Sequence, residues 1–339
     1  MKQARSLLAW SVVFALFGGS AAMAQRADVA IESDRFVAAR PSVLEKLKTL
    51  REGGQLLSIS QVEAALKSPT PAHVDLPVPA TTKLSPAEVA ARARQSSLRI
   101  GYYYLCNKCD NWHVTLGGGY VVGSGGVAAS AHHVLVPRGA EMREGYLIAE
   151  DLAGNVYPVS SVLAADATMD AAVFKLAGAD NLKPFALNDQ VGPGDAAFLL
   201  SDPKSYSSYF SSGIVNRFFW KGGKTGDAQQ LSGVANLRIN VSTDWAPGSS
   251  GSAVLDDCGN MIAHVSTIRY ELSTPPAQQP RPADNADAVL GQTPPARPIP
   301  PAGTQILLHD GVPARAVKLL IEQMSKTEQV PTTQKATTN

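Results

Sequence analysis

Residues 117–135 read GGGYVVGSGGVAASAHHVL, and this stretch carries the pattern that decides the fold. Two short β-rich runs, GGGYVVG and GVAASA, meet at a GSGG sequence that is typical of a hairpin turn. The stretch lacks the G-x-x-x-x-G-K-[ST] sequence and the following helix of a phosphate-binding loop. It therefore predicts two antiparallel strands, the second of which ends at a pair of histidines.

The same texture continues on both sides of this hairpin, from about residue 97 to residue 272. Short runs rich in β-branched and aromatic residues alternate with Gly, Asp, Asn and Pro at intervals of roughly 10–15 residues. This spacing is typical of antiparallel β barrels or a sandwich, and it argues against a doubly wound α/β sheet. The other runs include SLRIGYYYL, GYLIAED, VYPVSSVLA, AAVFKL, AAFLLS, SSGIVNRFFW, LRINVST, SAVLD and MIAHVSTI.

Residues 25–95, before the strands, are predicted to form a helical extension. In PSVLEKLKTLREGG the apolar residues recur at helical spacing, and the pattern stops at a Gly-Gly pair. SISQVEAALK contains a Ser60-x-x-Glu63 capping box, and LSPAEVAARARQ begins with Ser85 as N-cap and Pro86 at the first helical position. The proline-broken linker PTPAHVDLPVPATTK lies between these two helices.

The chain after the last β-rich run is predicted to have three parts. Residues 273–303 form an insert rich in Pro, Ala and Gln, a composition that cannot bury a core. PARAVKLLIEQM follows as an amphipathic helix with Pro313 at its start, and residues 326–339 are expected to be a disordered tail. The main domain therefore spans residues 96–325.

Residues 1–24 have the parts of a signal peptide: Lys2 and Arg5, the apolar run LLAWSVVFALFGG, and a small-residue cleavage site that ends at Ala24. The apolar run is shorter than the roughly 20 residues that cross a bilayer. Because Gln25 rather than a cysteine follows the site, we expect neither a bacterial lipid anchor nor another stable membrane anchor. The mature chain is expected to be periplasmic or secreted.

Two serines stand between two glycines in DWAPGSSGSAV, residues 244–254. A nucleophilic serine needs a general base, a group that orients this base, and donors for the oxyanion. Candidate bases are His132 and His133, and Asp170 is the candidate orienting group, with Asp166 as its local rival. Glycines allow the backbone of such a turn to direct its N–H groups inward.

These elements occur in the order His, Asp, Ser, each at a strand end, and together they resemble the trypsin-like (chymotrypsin-fold) serine peptidases. The bacterial HtrA-like branch is the nearer one. The matching motifs are Ser130-Ala131-His132-His133-Val134, Asp170-Ala171-Ala172-Val173-Phe174-Lys175-Leu176 and Gly248-Ser249-Ser250-Gly251-Ser252. The resemblance implies an all-β fold: a chymotrypsin-like double β-barrel, here with an N-terminal helical extension and a C-terminal helix.

The resemblance also implies a role for each residue. His133, which directly precedes the apolar Val-Leu pair, would be the general base, and Asp170 would fix its tautomer. Ser250 would be the nucleophile, because Gly248 two residues earlier would then donate to the oxyanion together with the N–H of Ser250. Ser249 stands where trypsin-type zymogens have the Asp that pairs with a new N-terminus, so this form of activation is not expected.

The implied function is that of an exported serine endopeptidase that needs no cofactor and acts on proteins or peptides through an acyl-enzyme. The alternative is a catalytically silent trypsin-fold protein of the cell envelope that binds peptides. The formal net charge of +1 gives no reason to expect nucleic acid as a partner. The residues after Ser250 leave no room for the PDZ domain of many HtrA relatives. The oligomeric state stays open, as does whether residues 25–95 inhibit the enzyme or only dock on it.

An α/β-hydrolase is a poorer match, because that family needs a G-x-S-x-G sequence and the order Ser, acid, His.

Two residues are candidates for substrate binding. In the trypsin branch an acid at the offset of Asp244 selects Arg or Lys, although a structural role in the loop is the alternative. His264 lies on the strand after the nucleophile and faces either the pocket or the core.

The sequence has three cysteines, and two of them form the motif Cys106-x-x-Cys109. Asp110 follows this motif where a c-type haem site requires His. A local disulfide between Cys106 and Cys109 is the preferred interpretation, since exported proteins meet oxidising conditions. A zinc site that uses both thiols and His113 is the alternative, but a fourth ligand is not evident, and no metal is assigned. Cys258 has no partner in this scheme and is interpreted as a small buried residue.

Overall fold

The computed structural model describes residues 41–137, 142–222, 233–272 and 304–328. The predictions for the signal peptide (1–24), the Pro-rich insert (273–303) and the tail from residue 329 onward lie outside the described residues. Within the described ranges, no helix is long and apolar enough to cross a membrane.

Strands dominate the described chain, and helices stand at its two ends and at one short turn. The helices are α1 (Pro41–Glu52), α2 (Ile59–Lys67), α3 (Pro86–Ser96), α4 (His132–Leu135) and α5 (Ala314–Glu328). The strands are β1 (Leu57–Ser58), β2 (Ser97–Cys106), β3 (Trp112–Gly123), β4 (Val127–Ser130), β5 (Met142–Asp151), β6 (Val156–Asp166), β7 (Ala171–Leu176), β8 (Ala196–Ser201), β9 (Tyr209–Trp220), β10 (Leu237–Val241), β11 (Ala253–Leu255), β12 (Met261–Leu272) and β13 (Thr304–Pro313).

The strands close into two antiparallel barrels. In the first barrel the order is β5-β2-β3-β4-β7-β6, and pairing of β6 with β5 closes the ring, while β1 adds to β5 from outside. The second barrel has the order β10-β13-β12-β11-β8-β9 and is also closed. The chymotrypsin-like double β-barrel predicted from the sequence is therefore confirmed.

Helix α1 packs on the first barrel through its apolar face, as its periodicity predicts. Val43 and Leu47 of α1 are buried against Tyr103 and Ile148 of the barrel wall. The chain turns away after α1 at Gly54, whose φ of 66° is easily adopted only by glycine. The predicted helical character of the extension is confirmed for residues 41–95, and residues 25–40 lie outside the described residues.

The cap of α2 differs from the prediction. The capping box joins Ser58 and Gln61 rather than Ser60 and Glu63: the Gln61 N–H donates to the Ser58 hydroxyl, and the Ser58 N–H donates to Gln61 Oε1. The reason is a tertiary contact, because strand β1 pairs with β5 up to Ser58 and the helix starts at the next residue. The second predicted cap, Ser85 with Pro86 at the first helical position, is confirmed.

Helix α5 closes the fold at its other end. It begins directly after Pro313, as predicted, and continues to Glu328, three residues into the segment predicted as a tail. Its apolar face joins a cluster that contains side chains of α3, both barrels and the helix itself. From α5 this cluster includes Ala314, Ala316, Val317, Leu320, Ile321 and Met324.

A buried ion pair links the two barrels. Arg99 on β2 has a side chain only 4 % exposed, and its Nε lies 2.5 Å from Oδ2 of Asp202, which follows β8. Its Nη1 also lies 3.8 Å from Oε1 of Glu150, a residue of β5 whose side chain is 1 % exposed. The guanidinium therefore compensates two carboxylates that are largely removed from water.

Replacing this cation is expected to destabilise the fold. In Arg99→Met the carboxylates of Asp202 and Glu150 lose a common cation in a buried place, so we expect the free energy of unfolding to fall by about 3–5 kcal/mol. Urea denaturation monitored by circular dichroism measures this loss. Lys83→Met is the control, because Lys83 pairs with Asp257 through a side chain that is 80 % exposed, and its stability should match wild type. Equal stability of the two variants would contradict the prediction.

Candidate active site

Sheet pairing in the first barrel brings the predicted base and its orienting residue together. Strand β4 ends at Ser130, which pairs with Ala172 near the start of the antiparallel strand β7. The residues that follow β4 and those that precede β7 are therefore neighbours. The single-turn helix α4 after β4 carries His133, and Asp170 immediately precedes β7.

The two side chains are in direct contact. Nδ1 of His133 lies 3.0 Å from both carboxylate oxygens of Asp170, so this nitrogen carries the proton and donates it. The backbone N–H of His133 also donates to Asp170 Oδ1, at 3.1 Å. Within the described residues no hydrogen bond links His132 to this carboxylate. Asp166, the local rival, instead accepts the N–H groups of Thr168 and Met169 and so caps the turn before β7.

Asp170 is held from the second barrel as well. The hydroxyl of Ser266 on β12 donates to Asp170 Oδ2 at 2.6 Å. Burial alone would raise the pKa of the Asp170 carboxyl, but the hydrogen bonds and charge of His133 and the bond from Ser266 outweigh burial and hold the pKa well below its ordinary value. Asp170 has a φ of 62°, which is unusual for a residue other than glycine. A charged carboxylate and a strained backbone therefore coincide at this position.

His264 lies in the interior rather than on the substrate side. Its side chain is 0 % exposed, Nε2 donates to the carbonyl of Asp170 at 2.9 Å, and Nδ1 accepts the Tyr120 hydroxyl at 3.2 Å. Both ring nitrogens are thus occupied, so the expectation that His264 binds substrate gives way to a supporting position behind Asp170. Burial lowers the pKa of His264 to about 4, which keeps the imidazole neutral at neutral pH.

The turn between β10 and β11 distinguishes the two adjacent serines. Ser249 is fully buried, and its hydroxyl accepts a hydrogen bond from Ser201 at 2.9 Å. Ser250 is half-buried, and its hydroxyl has no hydrogen-bond partner among the described residues. The N–H groups of Gly248 and Ser250 are also without partners in this part of the chain. Gly248 has a φ of 107°, a conformation that favours glycine.

The turn with Ser250 presses against the first barrel beside the histidine. The Gly118 N–H of β3 donates to the carbonyl of Ser250 at 2.6 Å. A Cβ on Gly251 would lie 2.3 Å from the Ser130 hydroxyl oxygen and 3.1 Å from the N of Ala131, two residues before His133. Glycine is required for this close approach. Nε2 of His133 is buried and lacks a hydrogen-bond partner, so no bond to Ser250 is formed in this structure.

Asp244 lies at the rim of the second barrel. Its carboxylate is exposed and accepts the Tyr209 hydroxyl at 3.4 Å, and its N–H donates to the Ser211 hydroxyl at 3.1 Å. The next residue, Trp245, is buried, and its ring centroid lies 4.7 Å from that of His309. These contacts attach the loop to β9, which favours the structural interpretation of Asp244 over the pocket one.

The disulfide between Cys106 and Cys109 is not formed, contrary to the sequence-based expectation. Both cysteines are free thiols, as is Cys258. Cys109 Sγ instead lies 2.9 Å from Nε2 of His113, and this contact directs the sulfur toward the imidazole. The local brace that a disulfide would give is supplied by backbone pairing of β2 with β3.

Sequence reasoning missed three contributions to the site. Ser266 binds the Asp170 carboxylate, and the guanidinium of Arg238 donates to the carbonyl of Thr168 in the turn before Asp170. Gly118 holds the carbonyl of Ser250. A signal existed for Ser266, because His264 and Ser266 are polar residues two apart after the apolar start of β12, and both contact Asp170. No local pattern pointed to Arg238.

Comparison with known proteins agrees with the resemblance. The sequence profile of the trypsin-like peptidase domain matches residues 117–263, which include His133, Asp170 and Ser250. This match confirms the resemblance to trypsin-like serine peptidases and supports a peptidase. No curated protein matches the chain.

Solved structures with a similar chain path include the HtrA-type protease AlgW with a tripeptide, at 17% identity and a TM-score of 0.48. A serine-to-alanine variant of that protease with a tripeptide gives 17% identity and a TM-score of 0.49. In both cases the similarity covers 73% of this chain and 65% of the other. The chain therefore spans about two thirds of the length of these proteases.

His264 should make the stability of the fold sensitive to acid. Its pKa is 6.5 ordinarily and about 4 in the folded state, so protons bind the unfolded chain first, and stability falls as the pH drops from 6.5 toward 4. The shift corresponds to a loss of roughly 3 kcal/mol, which His264→Gln should remove from the pH profile. Urea unfolding between pH 7 and pH 4 measures it. His73→Gln, at an exposed position, should keep the wild-type profile. Identical profiles for His264→Gln and wild type would refute this role.

Proposed function

We propose that the chain is an exported serine endopeptidase that hydrolyses peptide bonds in proteins through an acyl-enzyme on Ser250. The observation that carries the proposal is the contact of His133 Nδ1 with Asp170, which leaves Nε2 of the same ring without a partner. The turn of Ser250 lies against Ser130 and Ala131, at the base of the helix that carries this ring. Export rests on the signal-peptide features of residues 1–24.

The tautomer of His133 determines its chemistry. Because Nδ1–H donates to Asp170, Nε2 holds a lone pair and can accept the proton of the Ser250 hydroxyl during attack on the scissile carbonyl. The imidazolium that forms is stabilised by the Asp170 carboxylate, which stays ionised because its pKa is depressed. His133 then gives the proton to the leaving amine. Water, activated by the same nitrogen, hydrolyses the ester and regenerates Ser250.

The backbone of the turn supplies the oxyanion donors in this mechanism. The N–H groups of Gly248 and Ser250 make no bond within the described residues, so they are free to bind the negative oxygen of the tetrahedral intermediate. Removal of one such donor typically costs about 10²–10³ in rate. Gly248 also passes so close to the Asp202 carbonyl that a Cβ there would lie 2.5 Å from its oxygen. This packing gives the turn a fixed backbone.

The second candidate is a catalytically silent protein of the same fold that binds peptides. One observation is compatible with it: neither the hydroxyl of Ser250 nor Nε2 of His133 has a hydrogen-bond partner among the described residues. In peptidases without substrate this bond is often long and tightens only in the Michaelis complex, so the open arrangement fits both candidates. The first candidate would act on proteins or peptides, and the second would bind peptides as ligands.

A fluorophosphonate probe separates the two candidates. We expect wild type to be labelled covalently, because His133 activates the Ser250 hydroxyl, and Ser250→Ala to remain unlabelled. Ser249→Ala is the matched control and should still be labelled, since the Ser249 hydroxyl is buried against Ser201. Labelling is read by intact-protein mass spectrometry. An unlabelled wild type would support the silent protein, and a label that persists in Ser250→Ala would exclude Ser250 as nucleophile.

The orienting role of Asp170 predicts that substitutions of two nearby acids, Asp170 and Asp166, have very different effects on the labelling rate. Asp170→Asn preserves the shape of the side chain but favours the wrong tautomer of His133, so the labelling rate should fall by about 10⁴. Asp166→Asn should keep the rate within a few-fold, because an amide oxygen can also cap the turn of Thr168 and Met169. Probe-labelling kinetics under matched conditions measure both rates. Similar rates for the two variants would rule out the proposed role of Asp170.

A further inference from the structure

The hairpin that joins β2 to β3 carries a cluster of three soft metal ligands. Cys106 is the last residue of β2, and Cys109 and His113 follow in the turn and at the start of β3. One ligand atom from each residue lies within 4.8 Å of the other two. Both sulfurs are free thiols, so neither is consumed by a disulfide. The proposed peptidase mechanism uses none of the three residues.

The backbone of the hairpin prepares this cluster. The Lys108 N–H donates to Cys106 Sγ at 3.3 Å, and the Cys106 N–H donates to the carbonyl of Asn111 at 3.0 Å. The chain reverses at Asp110, which has a φ of 52°. This turn folds Cys109 back toward His113, so that its sulfur lies 2.9 Å from Nε2. The ligands are therefore assembled by local backbone geometry rather than by chance proximity of mobile side chains.

We propose that this hairpin tip binds Zn²⁺ through Cys106 Sγ, Cys109 Sγ and His113 Nε2. Two thiolates and one imidazole are a typical zinc ligand set, and binding releases one proton from each thiol. In a tetrahedral site a Zn-bound sulfur and nitrogen lie about 3.5 Å apart, given bonds of about 2.3 and 2.0 Å. The present contact between Cys109 and His113 needs only a small side-chain adjustment to reach this separation.

Three protein ligands leave the fourth position open to water or to a donor from another molecule. Cys258 is held in a different hairpin, where its thiol contacts Asp257. Asp110, the nearest acid in sequence, is paired with Arg143 at 2.6 Å. An accessible fourth position fits the exposed setting of Cys109.

A metal here would brace the strand that reaches the candidate active site. His113 and Gly117 lie four residues apart on β3, which corresponds to about 13 Å along the strand, and they share one face. The carbonyl of Ser250 lies 2.9 Å from where a Cβ on Gly117 would be. The metal site does not depend on the proposed peptidase activity, and its test needs no substrate.

The test uses the full chain, stripped of metal and kept reduced with a phosphine. Zn²⁺ titration against a chromophoric chelator should give one equivalent bound per chain. Co²⁺ as a replacement should give intense visible bands of a tetrahedral site and the near-ultraviolet charge-transfer band of thiolate ligation. In Cys106→Ser/Cys109→Ser the charge-transfer band should vanish, and Zn²⁺ affinity should fall by more than about 100-fold.

Cys258→Ser is the matched control, because it removes the remaining thiol and should keep both the stoichiometry and the cobalt spectrum. Circular dichroism verifies that the variants fold. If a variant does not fold, the cobalt absorption spectrum of wild type still tests the proposal. A reduced wild type that binds neither metal would overturn the proposal. So would a double variant that binds Zn²⁺ as tightly as wild type. Loss of the cobalt charge-transfer band in Cys258→Ser would have the same consequence.

Discussion

Burial of the Asp170 carboxylate is the constraint on which the rest of the site depends. A carboxylate that is only 12 % exposed is strongly unfavourable unless hydrogen bonds and a positive partner compensate it. Here the compensation comes from two sides, because His133 belongs to the first barrel and Ser266 to the second. If the barrels separated, the charge would lose part of its shell. Ionisation of the Asp170 carboxyl therefore depends on the packing of the two barrels against each other.

The same junction explains why glycines concentrate around Ser250. At Gly118 a Cβ would lie 2.0 Å from the hydroxyl oxygen of Ser252, and at Gly251 it would lie 2.4 Å from the carbonyl oxygen of Gly118. Backbones of the two barrels touch here without side chains between them, so small shifts are resisted on both sides. The buried pair of Arg99 and Asp202 adds an electrostatic link behind the same turn. Ser250, the proposed nucleophile, is therefore positioned by both barrels.

The sequence predicts local features, but it does not predict contacts that depend on how the strands pair. The strand texture and the order His, Asp, Ser lie in short segments of sequence. The resemblance to the trypsin-like serine peptidases that these segments carry is what implied the double barrel and the contact between His133 and Asp170. Ser266 contributes only through a tertiary contact, because its hydroxyl on a strand of the second barrel donates to Asp170 Oδ2 beside the first. A cap shifted from Ser60 to Ser58 because of a strand pairing that the helix pattern does not contain. The Cys106-x-x-Cys109 spacing likewise suits a disulfide or a zinc site, and in the structure both cysteines are free thiols.

The backbone of Asp170 shows how these contacts act together. Its positive φ is unfavourable for a side chain with a Cβ, yet its carbonyl accepts Nε2–H of His264, whose other nitrogen accepts the Tyr120 hydroxyl. This chain of bonds fixes the carbonyl from behind, while His133 fixes the carboxylate from the front. The strained conformation is maintained, because the peptide cannot relax without breaking a buried hydrogen bond. The orientation of the Asp170 carboxylate, and with it the tautomer of His133, is supported by the buried side chains of His264 and Tyr120 behind it.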